Sequence, residues 1–195
     1  AARAWGQEGF AAQALALARN ASWWNELKRL NVPFDPNSFA HADAAPALVG
    51  GGGLDLALSF SADYALPAST AHVLHVENLL LGDSKCDAAM RREIATSAER
   101  SEPETVARLM RAAVGRIEGR DYERIDVALE LLAARLPDGD ELRRCVRGRQ
   151  LLSRLRVVVP DVDTSRRLNF HELVASPWPV LKPLLAPNTI ENLTA

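Results

Sequence analysis

In the stretch SEPETVARLMRAAVGRI, residues 101–117, Val106, Leu109, Met110, Ala113, Val114 and Ile117 follow the i, i+3, i+4, i+7 spacing of one helix face. That period recurs along the chain, and the strict alternation of a half-buried strand hardly occurs. A chain patterned in this way must bury its apolar stripes helix against helix. Ser101 and Glu104 have the spacing of a capping box, and Pro103 falls in the first turn. The same design returns in DYERIDVALELLAARL, residues 121–136, with Tyr122, Ile125, Leu129 and Leu132 on one side. After a PDGD turn, ELRRCVRGRQLLSRLRVV carries Leu142, Cys145, Val146, Leu152 and Leu155 as its apolar stripe.

The first part of the chain is less regular. Residues 1–20 are alanine-rich and read as one helix. Ser22 is placed to cap a second, WWNELKRL, in which Trp23, Leu27 and Leu30 share a face. NVPFDPNS is a connector, because Pro33 and Pro36 each disfavour helix at the residue before them. A third helix is expected from Asn37 to Val49, ended by the glycines at 50–53, where a flexible break is expected. LDLALSFSADYAL then turns Leu54, Leu58 and Tyr64 inward. A helix follows Pro67 and ends at Gly82, and residues 85–100 form a shorter, more polar one.

These segments predict eight or nine helices joined by short turns. VLHVENLLL is apolar on more than one side and needs neighbours on both. The expectation is an all-α fold over 1–195, an irregular α-solenoid of stacked antiparallel helix pairs, with a closed helical bundle as the alternative. No fixed repeat length and no TPR or ankyrin signature emerges. The chain opens inside a helical pattern and closes on NTIENLTA, which reads as a helix just begun, so a fragment of a longer array is expected.

A formal net charge of −2 predicts no general attraction to nucleic acid or anionic membrane. No apolar run approaches the ~18 residues of a membrane span, and the first ten residues lack the pattern of a secretory signal. Cys86 and Cys145 lie far apart without a CxxC motif, which fits reduced thiols in an intracellular protein.

The candidate chemistry is sparse. His72 and His75 lie one helical turn apart, with Glu77 beyond, but a zinc site needs a further ligand, and the pattern is not HExxH. They read as ordinary helix histidines. His171 and Glu172 suggest a catalytic pair, yet adjacent helical residues diverge by about 100°. No GxSxG nucleophile motif occurs. The glycines at 50–53 lack the preceding strand and the following Lys-Ser/Thr of a phosphate loop. Arg143, Arg144, Arg147, Arg149, Arg154, Arg156, Arg166 and Arg167 form a locally basic region with only Asp161 and Asp163 near in sequence. Without aromatic platforms, this region reads as a solvated face or a docking surface for an acidic partner, rather than a nucleic-acid site. Trp5, Trp23, Trp24 and Trp178 stand at helix edges. Trp178, between Pro177 and Pro179, reads as a plug in the seam made with Leu168, Phe170 and Leu181, the prolines setting the bend; if exposed it becomes a partner hot spot. No catalytic, metal or cofactor-binding residue is assigned.

The segment RLNFHELVASPWPVLKPLLAPNTIENL, residues 167–193, resembles the C-terminal helical region of the Rod (rough deal) family of kinetochore proteins. That family has a Leu-Pro-Phe-His-Leu-Leu stretch, then a tryptophan and an Ile/Val-Leu pair. Leu168, Phe170 and His171 match the first piece, with Asn169 in place of the proline, and Trp178, Val180 and Leu181 match the second. FSADYALPASTAHVLHVENLLLGD and RIEGRDYERIDVALELL are similar to the family upstream, so the likeness covers roughly two thirds of the chain. The glycine run and the alanine and arginine enrichment depart from the family. The resemblance implies a parent chain with an N-terminal β-propeller and a long α-solenoid. It implies protein partners: Zwilch, a tether-related third subunit and the dynein adaptor Spindly. It further implies a role in the spindle assembly checkpoint at the kinetochore and spindle, with a cytoplasmic pool. It implies no enzyme activity, no cofactor, no nucleic acid, no membrane insertion and no small-molecule substrate. The alternative is a vesicle-tethering scaffold of related architecture at the endoplasmic reticulum.

Overall fold

The computed structural model describes residues 2–32, 41–158 and 167–182, and among them there is no strand. Nine helices follow one another: α1 (Ala2–Arg29), α2 (His41–Asp63), α3 (Ala68–Leu81), α4 (Ala88–Glu99), α5 (Pro103–Arg116), α6 (Tyr122–Ala133), α7 (Asp140–Val158), α8 (Phe170–Ala175) and α9 (Pro177–Leu181) among the described residues. The fold is all-α, as the periodicity predicts. The chain divides into two compact units, residues 1–78 and 79–195. The connector at 33–40, including the expected start of a helix at Asn37, lies outside the described residues.

In the first unit, the expected break before Trp23 does not occur: α1 runs through Ser22 as one helix of 28 residues. Ser22 is exposed and no proline interrupts the register, so Trp23 and Leu27 simply continue the face begun by Ala16 and Asn20. That face packs on Ala44, Leu48, Val49, Ala57, Phe60 and Ala71. Leu54, Leu58 and Tyr64, expected inward, pack against this cluster and stay half-buried, with Ala57 and Phe60 fully buried within it. The Trp23 and Phe60 rings meet edge to face at 5.0 Å, and Tyr64 lies 4.7 Å beyond Phe60. Polar tips of the same residues are tied down: Trp23 Nε1 donates to Asp63 at 2.7 Å and Tyr64 Oη to Asn20 at 2.8 Å.

The glycine run breaks the helix at one residue. Gly53 takes φ 82° and ψ 174°, a conformation open essentially to glycine alone, and kinks α2 there. Gly50, Gly51 and Gly52 remain helical. A Cβ at Gly51 would stand 3.1 Å from Leu30 Cδ2, so the absent side chain lets α2 approach the end of α1.

In the second unit, aspartates cap the starts of α4 and α6. Asp87 accepts from the amides of Ala89 and Met90, both at 2.9 Å, and Asp121 accepts from Arg124 N at 3.1 Å. The expected Ser101–Glu104 capping box does not form. Pro103 holds the residue before it extended, which makes Glu102 the N-cap and leaves Glu104 one position short of the reciprocal bond. Buried Ser101 instead donates to Ser97 O at 3.1 Å.

Helix α6 packs against α4, α5 and α7. Tyr122, Ile125, Asp126, Val127, Ala128, Leu129 and Leu132 are all buried, which covers nearly its whole circumference. On α5, Val106, Met110, Ala113 and Ile117 are buried while Leu109 and Val114 are half-buried. On α7, Cys145, Leu152 and Leu155 are buried, Leu142 is half-buried, and Val146, expected inward, is 44% exposed. Gly148 allows this packing: a Cβ there would meet Leu129 Cδ1 at 3.0 Å and Phe170 Cζ at 3.5 Å.

Candidate functional site

The segment from Arg167 to Lys182 is fastened to the α5–α6 corner by its backbone. Tyr122 Oη donates to Leu168 O at 2.7 Å, Phe170 N donates to Gly119 O at 2.8 Å, and Arg120 Nε donates to Arg167 O at 3.0 Å. Burial, opposed by Arg167, pushes the Tyr122 hydroxyl above its ordinary pKa, keeping it a donor. Asn169, where the Rod pattern has proline, caps α8 by accepting from His171 N at 2.9 Å and Glu172 N at 3.2 Å. It sits so close to Gly119 that a Cβ there would lie 2.2 Å from Asn169 Oδ1.

His171 does not face Glu172. Its Nε2 lies 2.9 Å from Ile117 O, to which it donates, and Glu172 is exposed. The expected seam forms only in part. Phe170 and Leu173 are buried, Leu168 and Leu181 are half-buried, and Trp178 is 64% exposed. Pro177 begins α9, and Ser176 before it leaves the helical conformation with φ −152° and ψ 83°, which turns α9 away from the α8 register. Trp178 therefore stands as an exposed aromatic rather than a plug.

The basic region divides into two populations. Arg149, Arg156 and Arg167 turn inward. Arg149 Nε meets Asp126 at 2.8 Å, Arg156 Nη1 meets it at 3.3 Å, and Arg91 Nη1 approaches at 3.8 Å. Arg167 Nη1 pairs with Glu123 at 2.8 Å, and its guanidinium lies 5.1 Å from the Tyr122 ring centre. Arg156 Nη2 also donates to Tyr122 O at 3.1 Å. The carboxylate of Asp126 drives the Arg149 guanidinium pKa further up. A buried carboxylate is costly to desolvate, and three guanidinium groups offset that cost. Sequence reading missed Asp126; the signal was an acid lying beside Ile125 and Leu129 on an otherwise apolar face.

The outward population is Arg143, Arg144, Arg147 and Arg154. Arg143, Arg147 and Arg154 fall at i, i+4 and i+11, within about 40° of one line along α7. Arg143 pairs with exposed Asp140 at 2.5 Å. Arg147 and Arg154 make no ion pair among the described residues. Val146 and Val157, exposed at 44% and 83%, border this stripe. Arg166 lies outside the described residues, as do Asp161 and Asp163.

The remaining candidates stay apart. His72 and His75 are both buried in α3, and no group of three His, Cys, Asp or Glu able to hold a metal occurs among the described residues. The glycines at 50–53 follow a helix, not a strand, so they do not form a phosphate loop. Cys86 and Cys145 are free thiols whose pKa values burial pushes up, which keeps them in the unreactive form. An open groove of about 1000 Å³ runs between α4 and α6, with Ala95, Val127 and Leu131 in its wall and Arg92, Glu99 and Arg135 among its polar residues. No described helix is long and apolar enough to cross a membrane.

Comparison with known proteins finds no matching family model, no similar curated protein and no similar solved structure.

Proposed function

We propose that this chain is a scaffold segment acting through protein–protein contacts, with the outward face of α7 as its docking surface for an acidic partner. The observation that carries the reading is the division of the arginines. Asp126 and Glu123 hold Arg149, Arg156 and Arg167 and so brace the helices, while Arg147 and Arg154 are exposed and make no ion pair among the described residues. A cationic stripe bordered by exposed valines suits an acidic, partly apolar helix or strand. Consecutive contacts of α4 with α5, α5 with α6 and α6 with α7 support a reading as stacked helix pairs of an α-solenoid. The proposal assigns no catalytic residue.

The proposed setting is a kinetochore complex of the Rod–Zwilch type, supporting the spindle assembly checkpoint and dynein recruitment. It rests on the resemblance at Leu168, Phe170, His171, Trp178, Val180 and Leu181. The exposed Trp178 adds an aromatic anchor candidate for a partner. Proximity labelling from the tagged full-length protein in mitotic cells tests the setting. Recovery of Zwilch supports it; recovery of endoplasmic-reticulum SNAREs without kinetochore proteins overturns it in favour of the tethering scaffold.

A further inference from the structure

Helix α1 is apolar on two sides, and α2 uses only one of them. Trp23 and Leu27 are buried against α2, with Ala16, Asn20 and Leu30 half-buried beside them. About 100° around the helix from that face stand Phe10, Leu17 and Trp24, which are 74%, 70% and 51% exposed. They recur at i, i+7 and i+14, and exposed Ala14 and Ala21 fill the positions between them. At ~100° per residue, these five residues share about 80° of arc. A contiguous exposed stripe of this kind marks an interaction site on a folded chain.

We propose that this stripe binds a second copy of the same chain, with the two α1 helices packed antiparallel. One register brings Ala14 opposite Trp24 of the second copy and Ala21 opposite its Leu17, so each large side chain meets a small one. Lys28 then lies over Phe10 of the second copy, within reach of a cation–π contact. Between its ends the stripe is flanked by the uncharged Ala11, Gln13, Ala18, Asn20 and Asn25, and its C-terminal end carries Lys28 and Arg29. In the antiparallel pair the Lys28 and Arg29 of the two copies stand at opposite ends of the seam, so no like charges face each other along it. Three large side chains and the intervening alanines offer roughly 500–600 Å² per copy, about 1,000–1,200 Å² in the pair, the lower range of a specific interface.

Sedimentation equilibrium of the 195-residue chain tests this, with circular dichroism to confirm that each variant keeps its helix content. A reversible dimer with Kd on the order of 10 μM is expected for an interface of this size. Leu17→Glu should weaken it at least about tenfold, as should Ala21→Lys, because each buries a charge in the seam. Leu15→Glu is the control: Leu15 is 73% exposed but lies on another side of α1, so the dimer should persist. A chain that stays monomeric at ~100 μM overturns the proposal, as does equal weakening by Leu15→Glu and Leu17→Glu.

Discussion

Phe60 and Asp126 hold comparable places in the two units: each is buried where neighbouring helices close on it. Around Phe60 the neighbours are rings and aliphatic chains, with Trp23 and Tyr64 at 5.0 and 4.7 Å. Around Asp126 they are guanidinium groups from α4 and α7. An apolar contact is nondirectional and tolerates small shifts in register, whereas a charged hydrogen bond fixes distance and angle. The first unit accordingly accommodates a glycine kink and a helix packed on one face, while in the second Asp87, Asp121 and Asn169 cap α4, α6 and α8, and ion pairs tie α7 to α6.

That contrast breaks first at Phe60. Phe60→Ala should cost about 3–5 kcal/mol in chemical denaturation, the loss expected for a fully buried ring. Asp126→Ala should cost about 3 kcal/mol, because it leaves guanidinium groups facing a buried gap, and ~1 M salt should reduce that loss little. If salt abolishes the effect, the hub behaves as a surface pair. Met110→Ala should cost about 2–4 kcal/mol, and Leu109→Ala, only half-buried, about 1 kcal/mol. Equal losses would mean that the buried face of α5 is misassigned. Tyr122→Phe removes one hydrogen bond to Leu168 O and should cost about 1 kcal/mol, while hydrogen exchange quickens at Phe170.

The smallest effect is the pH dependence of the α4 cap. Hydrogen bonds from Met90 and Ala89 hold the Asp87 carboxyl below its ordinary pKa. A lowered folded-state pKa means that the stabilisation is whole above the unfolded value, about 3.9, and is lost as pH falls through the folded one. Asp87→Asn keeps an acceptor oxygen but no charge, so the difference in stability between it and the unsubstituted protein should shrink on acidification. A difference that grows towards low pH would contradict this sign.

The second unit was the more legible in sequence. Tyr122, Ile125, Leu129 and Leu132 are all buried as their spacing predicts, because α6 is short, bounded by Asp121 and a turn, and packed between helices on nearly every side. The first unit was harder to read. Ser22 has the chemistry of a cap, but only the chain's path decides whether a serine caps a helix or lies within one. Trp178 and Val146 were misplaced for a related reason: periodicity reports which residues are apolar, and only neighbouring helices decide which of them become covered. Asp126 escaped notice because its partners lie on α4 and α7, far away in sequence.

The scaffold reading is tested most directly at the outward face of α7. Affinity capture from mitotic cells should compare the unsubstituted full-length protein with an Arg147→Glu/Arg154→Glu double variant, the thermal melts of both being recorded alongside. Both arginines are exposed and outside the ion pairs that brace the helices, so the melts should coincide. The account predicts that a directly bound partner with an acidic segment, Zwilch in the kinetochore setting, is captured by the unsubstituted protein and reduced at least about tenfold by the double variant. Equal capture by the two proteins, with coincident melts, would contradict the assignment of this face as the docking surface.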